Sequence, residues 1–172
     1  MPASSAYTST RQIPASFKKF ENYPIFSNGT NLDWGGGKYD DASKYLQAQL
    51  NCTNLIYDPY NRSNDHNNSI LNIVALGKLT SITCLNVLNV IQDPTERNQL
   101  LLDIKQQACY NPNIKAVLFQ IYKRNKSNIP STGKTTQNNK PTKEYLPEIP
   151  AHFPNDSWHT TTKQNTITVN KR

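Results

Sequence analysis

Three of the six glycines in this chain stand in a row, Gly35-Gly36-Gly37. A residue without Cβ lets the backbone approach another group closely and accepts φ values that other residues avoid. The flanking sequence narrows the choice of fold. Residues 30–34 read as a short strand, and residues 40–50 carry Ala42, Tyr45, Leu46 and Leu50 at helical spacing. A glycine-rich bend between a strand and a helix is the setting of a nucleotide-binding turn. It is not the dinucleotide pattern Gly-x-Gly-x-x-Gly. No Gly-Lys-Ser/Thr follows, which excludes a P-loop.

The alternation continues down the chain. Residues 54–58 read as a buried strand stopped by Pro59. Residues 66–76 place Ile70, Leu71, Ile73 and Val74 on a helix ending at Gly77. Residues 81–86 form a third strand. Pro94 opens a helix with Leu100, Leu101, Ile104 and Ala108 as its apolar positions. Residues 114–122 are the most β-rich run. Strands alternating with helices imply an α/β fold whose mostly parallel sheet is covered on both faces, a three-layer arrangement. Residues 142–153 suit a short helix interrupted by Pro147 and Pro150, and residues 166–169 a closing strand on an antiparallel C-terminal edge. Residues 1–10 are small and polar, and are expected to be disordered. Residues 11–27, with Phe17, Phe20, Tyr23 and Phe26, suit an entry helix or lid on the domain edge. Residues 11–172 are read as a single domain.

The formal charge is +7, and nearly all of it lies late in the chain. From Lys123 to Arg172 there are nine basic residues against three acidic ones. Such a basic, loop-rich C-terminal part suits an anionic partner such as nucleic acid, or is simply a solvated tail. Cys52, Cys84 and Cys109 are odd in number and have no metal-ligand spacing; Cys52 and Cys84 sit where a buried free thiol is expected. Three scattered histidines without an acid cluster give no metal site. No apolar run resembles a signal peptide or a membrane span, so a cytoplasmic setting without membrane contact is expected.

The candidate chemistry begins with Asp33 and the glycines. A second acid, Asp58, stands twenty-one residues past Gly37 at the end of the next strand. In nucleotide-binding α/β folds an acid there accepts hydrogen bonds from ribose hydroxyls. Asn86 ends the third strand and Asn89 lies just beyond; either lines a ligand site or caps the following turn. Gln137 and Asn139 lie in the long basic loop, as substrate-reading amides or as ordinary solvated residues. His66 is a general base or a hydrogen-bonding group at a helix start. Asp58-Pro-Tyr-Asn resembles the Asp/Asn-Pro-Pro-Tyr motif of amino-methylating DNA enzymes, but it follows the second strand and has one proline. Pro59 and Tyr60 fit better as an apolar and aromatic wall for a nucleoside.

Asp33, Gly35 and Gly37 match motif I of class I methyltransferases, Asp/Glu-x-Gly-x-Gly-x-Gly, with Tyr39 at the last glycine. Residues 31–122 resemble the Rossmann-like core of class I S-adenosylmethionine-dependent methyltransferases. More narrowly, Asp33-x-Gly-Gly-Gly-Lys-Tyr-Asp40, Tyr57-Asp-Pro-Tyr-Asn-Arg-Ser63, His66-Asn67 and Asn86-Val-Leu-Asn-Val-Ile91 resemble a group of short bacterial and phage methyltransferase-like proteins. Residues 137–145 appear in the same pattern. The resemblance implies S-adenosylmethionine as cofactor, with Asp33, Gly35, Gly36, Gly37, Asp58, Pro59, Asn86 and Val87 around it. Asn86, Asn89, Gln137 and Asn139 are the groups expected to face the methyl acceptor, which the sequence leaves unnamed, and no catalytic acid or base is legible. Two other functions stay open: a factor that binds or consumes the cofactor without transferring its methyl, and a basic nucleic-acid-binding module.

Overall fold

The computed structural model describes residues 10–121 and 141–172. Of the expected disordered residues 1–10, all but Thr10 lie outside that range. The entry segment folds as helix α1 (Ala15–Lys18), a 3-10 turn (Phe20–Asn22) and helix α2 (Tyr23–Phe26). The core then runs β1 (Thr30–Trp34), α3 (Asp41–Leu50), β2 (Thr53–Tyr57), α4 (Asn64–Val74), β3 (Ser81–Leu85), α5 (Pro94–Tyr110) and β4 (Ala116–Gln120). It closes with β5 (Trp158–Lys163) and β6 (Thr166–Lys171).

The strands form one sheet in the order β2-β1-β3-β4-β6-β5. The first four are mutually parallel, and β6 and β5 are antiparallel additions. The strand expected at the edge, β6, therefore lies one place inside it. The edge is β5, whose sequence Trp-His-Thr-Thr-Thr-Lys shows little of the apolar alternation that marks a strand. Its first residue, Trp158, is buried with its ring 5.3 Å from Phe153.

Local chemistry explains the helix starts. The Ser63 hydroxyl accepts the His66 backbone N–H at 3.2 Å and caps α4. The Asp93 carboxylate accepts that of Thr95 at 2.8 Å, and Pro94 fills the first position of α5. The single helix or lid expected over residues 11–27 is instead broken into short pieces, because Pro14 and Pro24 cannot continue a helix from the preceding turn. Phe17 and Phe26 still enter the core at an edge-to-face 5.4 Å, while Phe20 is 84% exposed. No helix among the described residues is long and apolar enough to cross a membrane.

The two faces of the sheet differ. One carries the larger core, where Leu32, Trp34, Ile82, Val117 and Phe119 meet Ile70, Val74, Leu101 and Ile104 of α4 and α5. Tyr145, Ile149 and Phe153, from the segment preceding β5, complete it. The other face holds a smaller cluster, Phe17, Phe26, Leu46, Leu50, Cys52, Leu85 and Leu118. Beside that cluster the centre of the sheet is polar. Ser81 donates to Asn31, Asn31 donates to Asn54 and Thr83, and Thr83 donates to Asp33, all within 2.7–2.9 Å. Period-two alternation puts Asn31 and Asp33 on this face and Leu32 and Trp34 on the other.

One buried cation ties the late segment to the core. Arg97 of α5 is 1% exposed. It grips both carboxylate oxygens of Glu148 at 2.9 Å and donates to the Ile91 and Gln92 carbonyls at 3.0 and 2.9 Å. Removing one partner of such a pair strands the other. Arg97→Ala is expected to lower unfolding free energy by about 3 kcal/mol in urea titrations. A loss under about 1 kcal/mol would show that the pair contributes little.

Candidate cofactor site

The site forms where the C-terminal tips of β1, β2 and β3 meet. After Trp34 the chain turns through Gly35 at φ +79° and Gly37 at φ +81°. Both values suit glycine and strain any residue with a Cβ. A Cβ on Gly35 would fall 2.6 Å from a Val87 methyl, and one on Gly36 would fall 2.6 Å from Asp33 Oδ2. The glycines therefore let the turn sit directly against Val87 and Asp33.

Asp58 fastens this turn to the tip of β2. Its Oδ2 accepts the Gly37 N–H at 2.9 Å and the Asn61 side-chain amide at 3.0 Å. Its Oδ1 accepts the backbone N–H groups of Tyr60 and Asn61 at 2.9 and 3.0 Å. A carboxylate offers about four acceptor positions, and four donors occupy them. Asn67 clamps the same turn, accepting from the Asp58 N–H and donating to the Asp58 carbonyl. Arg62 closes it by donating to the Gly37 carbonyl at 2.8 Å and pairing with Asp40 at 2.7 Å. The carboxylate expected to offer free oxygens to a ribose is thus already engaged by its own turn.

Between these tips lies a cavity of about 540 Å³, within the range of small-ligand sites. Asp33, Gly35, Gly36, Gly37, Asp58, Pro59, Asn86 and Val87 all line it. These eight residues, expected from the sequence around a cofactor, therefore meet in one place. Asn89 is not in the lining: it is fully buried, and its amide has no hydrogen-bond partner among the described residues. Gln137 and Asn139 lie outside the described residues. His66 is also absent from the lining; its Nε2 lies 2.9 Å from the Ile56 carbonyl and, facing an acceptor, must carry the proton.

Other lining residues escaped the sequence reading. Thr10, Arg11, Gln12 and Pro14 of the entry segment form one wall. Glu96, Gln99 and Asp103 of α5 form another. Their spacing of three and four residues puts them on one helix face, which from sequence looks like any solvated face. Tyr57, its ring tilted 50° to that of Trp34 at 4.6 Å, adds aromatic surface beside the half-exposed Tyr60, which the sequence already marks as a nucleoside wall.

The lining is acidic: Asp33, Asp41, Asp58, Glu96 and Asp103 stand against one cation, Arg11, among the described residues. Asp33 is buried beneath the glycines, and desolvation pushes its pKa up to about 6, against lowering by the Thr83 and Asn54 hydrogen bonds. A raised carboxyl disfavours the folded state above its folded pKa, and that cost fades as pH falls through 6 toward the unfolded value near 4. The cost at neutral pH is on the order of 3 kcal/mol. Asp33→Asn is therefore expected to raise the melting temperature at pH 8 and to leave it almost unchanged at pH 4. A difference independent of pH would show that Asp33 does not carry this cost.

No family model matches the sequence, and no curated protein matches it. The chain is similar in structure to a protein-(glutamine-N5) methyltransferase (release factor-specific) from Alicyclobacillus acidocaldarius subsp. acidocaldarius DSM 446. The TM-score is 0.53 at 10% identity, covering 100% of this chain and 94% of that one. It also matches the 16S rRNA methylase ArmA at TM-score 0.48 and 13% identity, over 92% of this chain and 83% of that one. With its glycine turn, its strand order and the first of these neighbours, the chain has the Rossmann-like fold of the class I methyltransferases.

Proposed function

We propose that this chain binds S-adenosylmethionine in the cavity between the tips of β1, β2 and β3 and acts as a methyltransferase. The observation that carries the reading is the acidic cavity built against a glycine turn. The cofactor is cationic at its sulfonium and its ammonium groups, and five carboxylates against one guanidinium suit that charge. Gly35 and Gly36 let the turn seat directly on Val87 and Asp33, where a Cβ would clash, and so shape the floor of the cavity. The bound cofactor supplies a methyl group already activated on positive sulfur. The chain's own task is then to orient and to exclude water, which requires no dedicated acid or base.

Each site residue receives a role on this reading. Asp33 and the three glycines face the methionine end. Pro59 and Tyr60 form the nucleoside wall, and Asn86 and Val87 line the same cavity just past the tip of β3. Asp58 reaches the ribose by exchanging the Asn61 amide, the one side-chain donor among its four partners. Gln137 and Asn139 are assigned to the acceptor; Asn89, buried outside the cavity lining, is not. The acceptor is a small molecule or a nucleic acid met by the basic C-terminal part. A cytoplasmic setting and a bacterial or phage source fit the same reading.

Titration calorimetry with S-adenosylhomocysteine tests it. Binding is expected, and Tyr60→Ala is expected to weaken it by about 1–2 kcal/mol through lost stacking on the base. Tyr60 is 52% exposed, so the variant should fold. No binding to the wild-type chain would overturn the proposal. Release of S-adenosylhomocysteine from S-adenosylmethionine only when an acceptor extract is added separates transfer from binding alone.

A further inference from the structure

The entry segment reaches the cavity in two ways. Directly, Thr10, Arg11, Gln12 and Pro14 line it. Indirectly, Ser16 fixes the polarity of a lining side chain through Gln120. An amide side chain can be turned either way about its oxygen and nitrogen, and only its partners decide which. Here the first partner is unambiguous. The Ser16 backbone N–H points at Gln120 from 2.8 Å, and a backbone N–H only donates. The facing atom must be the oxygen Oε1, which also accepts the Ser16 hydroxyl at 2.6 Å. The Gln120 amide nitrogen therefore faces Asn86, at 3.0 Å. Being a donor, it requires the Asn86 oxygen opposite it.

Asn86 is thereby committed. Its Oδ1 is held by Gln120, and its backbone N–H donates to the Gln120 carbonyl at 2.8 Å. It is held at φ +62° immediately past β3, and it lines the cavity. The end of the amide turned away from Gln120 is its NH2 group, a donor. With Oδ1 turned toward Gln120, the group free to meet a ligand oxygen is the NH2 donor.

The cofactor of the proposed reading carries one anion, the carboxylate of its amino-acid end. That anion must be received in a cavity otherwise lined with acids. Arg11 is the one cation of the described lining; it sits 4.6 Å over the Tyr39 ring and 3.6 Å from Asp41. Guanidinium and amide N–H groups are the partners a carboxylate prefers. We propose that Arg11 and the Asn86 NH2 together form the subsite for this carboxylate, with Gln120 and Ser16 as positioning residues that hold Asn86 as a donor. The subsite rests on the cofactor reading above.

Two probes separate it from that reading: S-adenosylhomocysteine, and 5′-methylthioadenosine, which keeps the nucleoside and sulfur but lacks the amino-acid end. Both are titrated into the wild-type chain and into Arg11→Ala, Asn86→Asp and Gln120→Glu. The Arg11 side chain is 73% exposed, so its loss should spare the fold. Each variant is expected to bind S-adenosylhomocysteine about tenfold or more weakly. Each should hold 5′-methylthioadenosine within about twofold of wild type. Unchanged affinity for S-adenosylhomocysteine would overturn the subsite, as would an equal loss for both probes. Failure of the wild-type chain to bind either probe overturns the cofactor reading itself.

Discussion

Asp58 holds two strand tips together, and the rest of the site depends on that. Its carboxylate takes the Gly37 N–H on one side and the Tyr60 and Asn61 N–H groups on the other. A nearly buried carboxylate with four donors is well compensated for the water it has lost. The glycine turn is therefore held open as a cradle, and the chain past β2 turns back without closing the cavity. Asn67 and Arg62 reinforce the same junction from α4 and the turn before it. A ligand entering here meets a frame that is largely made in advance, which lowers the cost of binding.

The polar seam across the sheet has a related consequence. Asn31, Asn54, Ser81, Thr83 and Asp33 form a connected set on the face beneath α3, where a typical sheet of this kind is apolar on both sides. Satisfied networks of this sort fix strand register more sharply than apolar contacts do. They also place a carboxyl of raised pKa directly under the glycine turn. The core lost from this face is compensated on the other, where α4, α5 and the late aromatic segment pack.

Much of this was legible in the sequence. β1, α3, β2, α4, β3, α5 and β4 follow from periodicity, caps and the strand–glycine–helix pattern, and the eight residues assigned from the sequence to a cofactor lie around one cavity. β5 was not legible, because most of its side chains face solvent and carry no alternation. The engagement of Asp58 had a signal that was read differently. An Asp followed by Pro, with an Asn three places on, is a turn in which the side chain bonds the backbone ahead of it. The entry segment's role had no local signal, since Arg11 and Ser16 acquire meaning only through contacts more than twenty residues away in sequence. Asn89 sits where expected along the chain, but the loop after β3 turns it inward and away from the cavity lining.

If the cavity between these tips holds the cofactor, the residues around it must sense cofactor added in solution. Amide resonances of isotopically labelled protein, followed as S-adenosylmethionine is added, test this most directly. Shifts are expected to concentrate at Gly35, Gly36, Gly37, Asn86 and Val87. Shifts confined to the β5–β6 hairpin, or none at saturating cofactor, would contradict this.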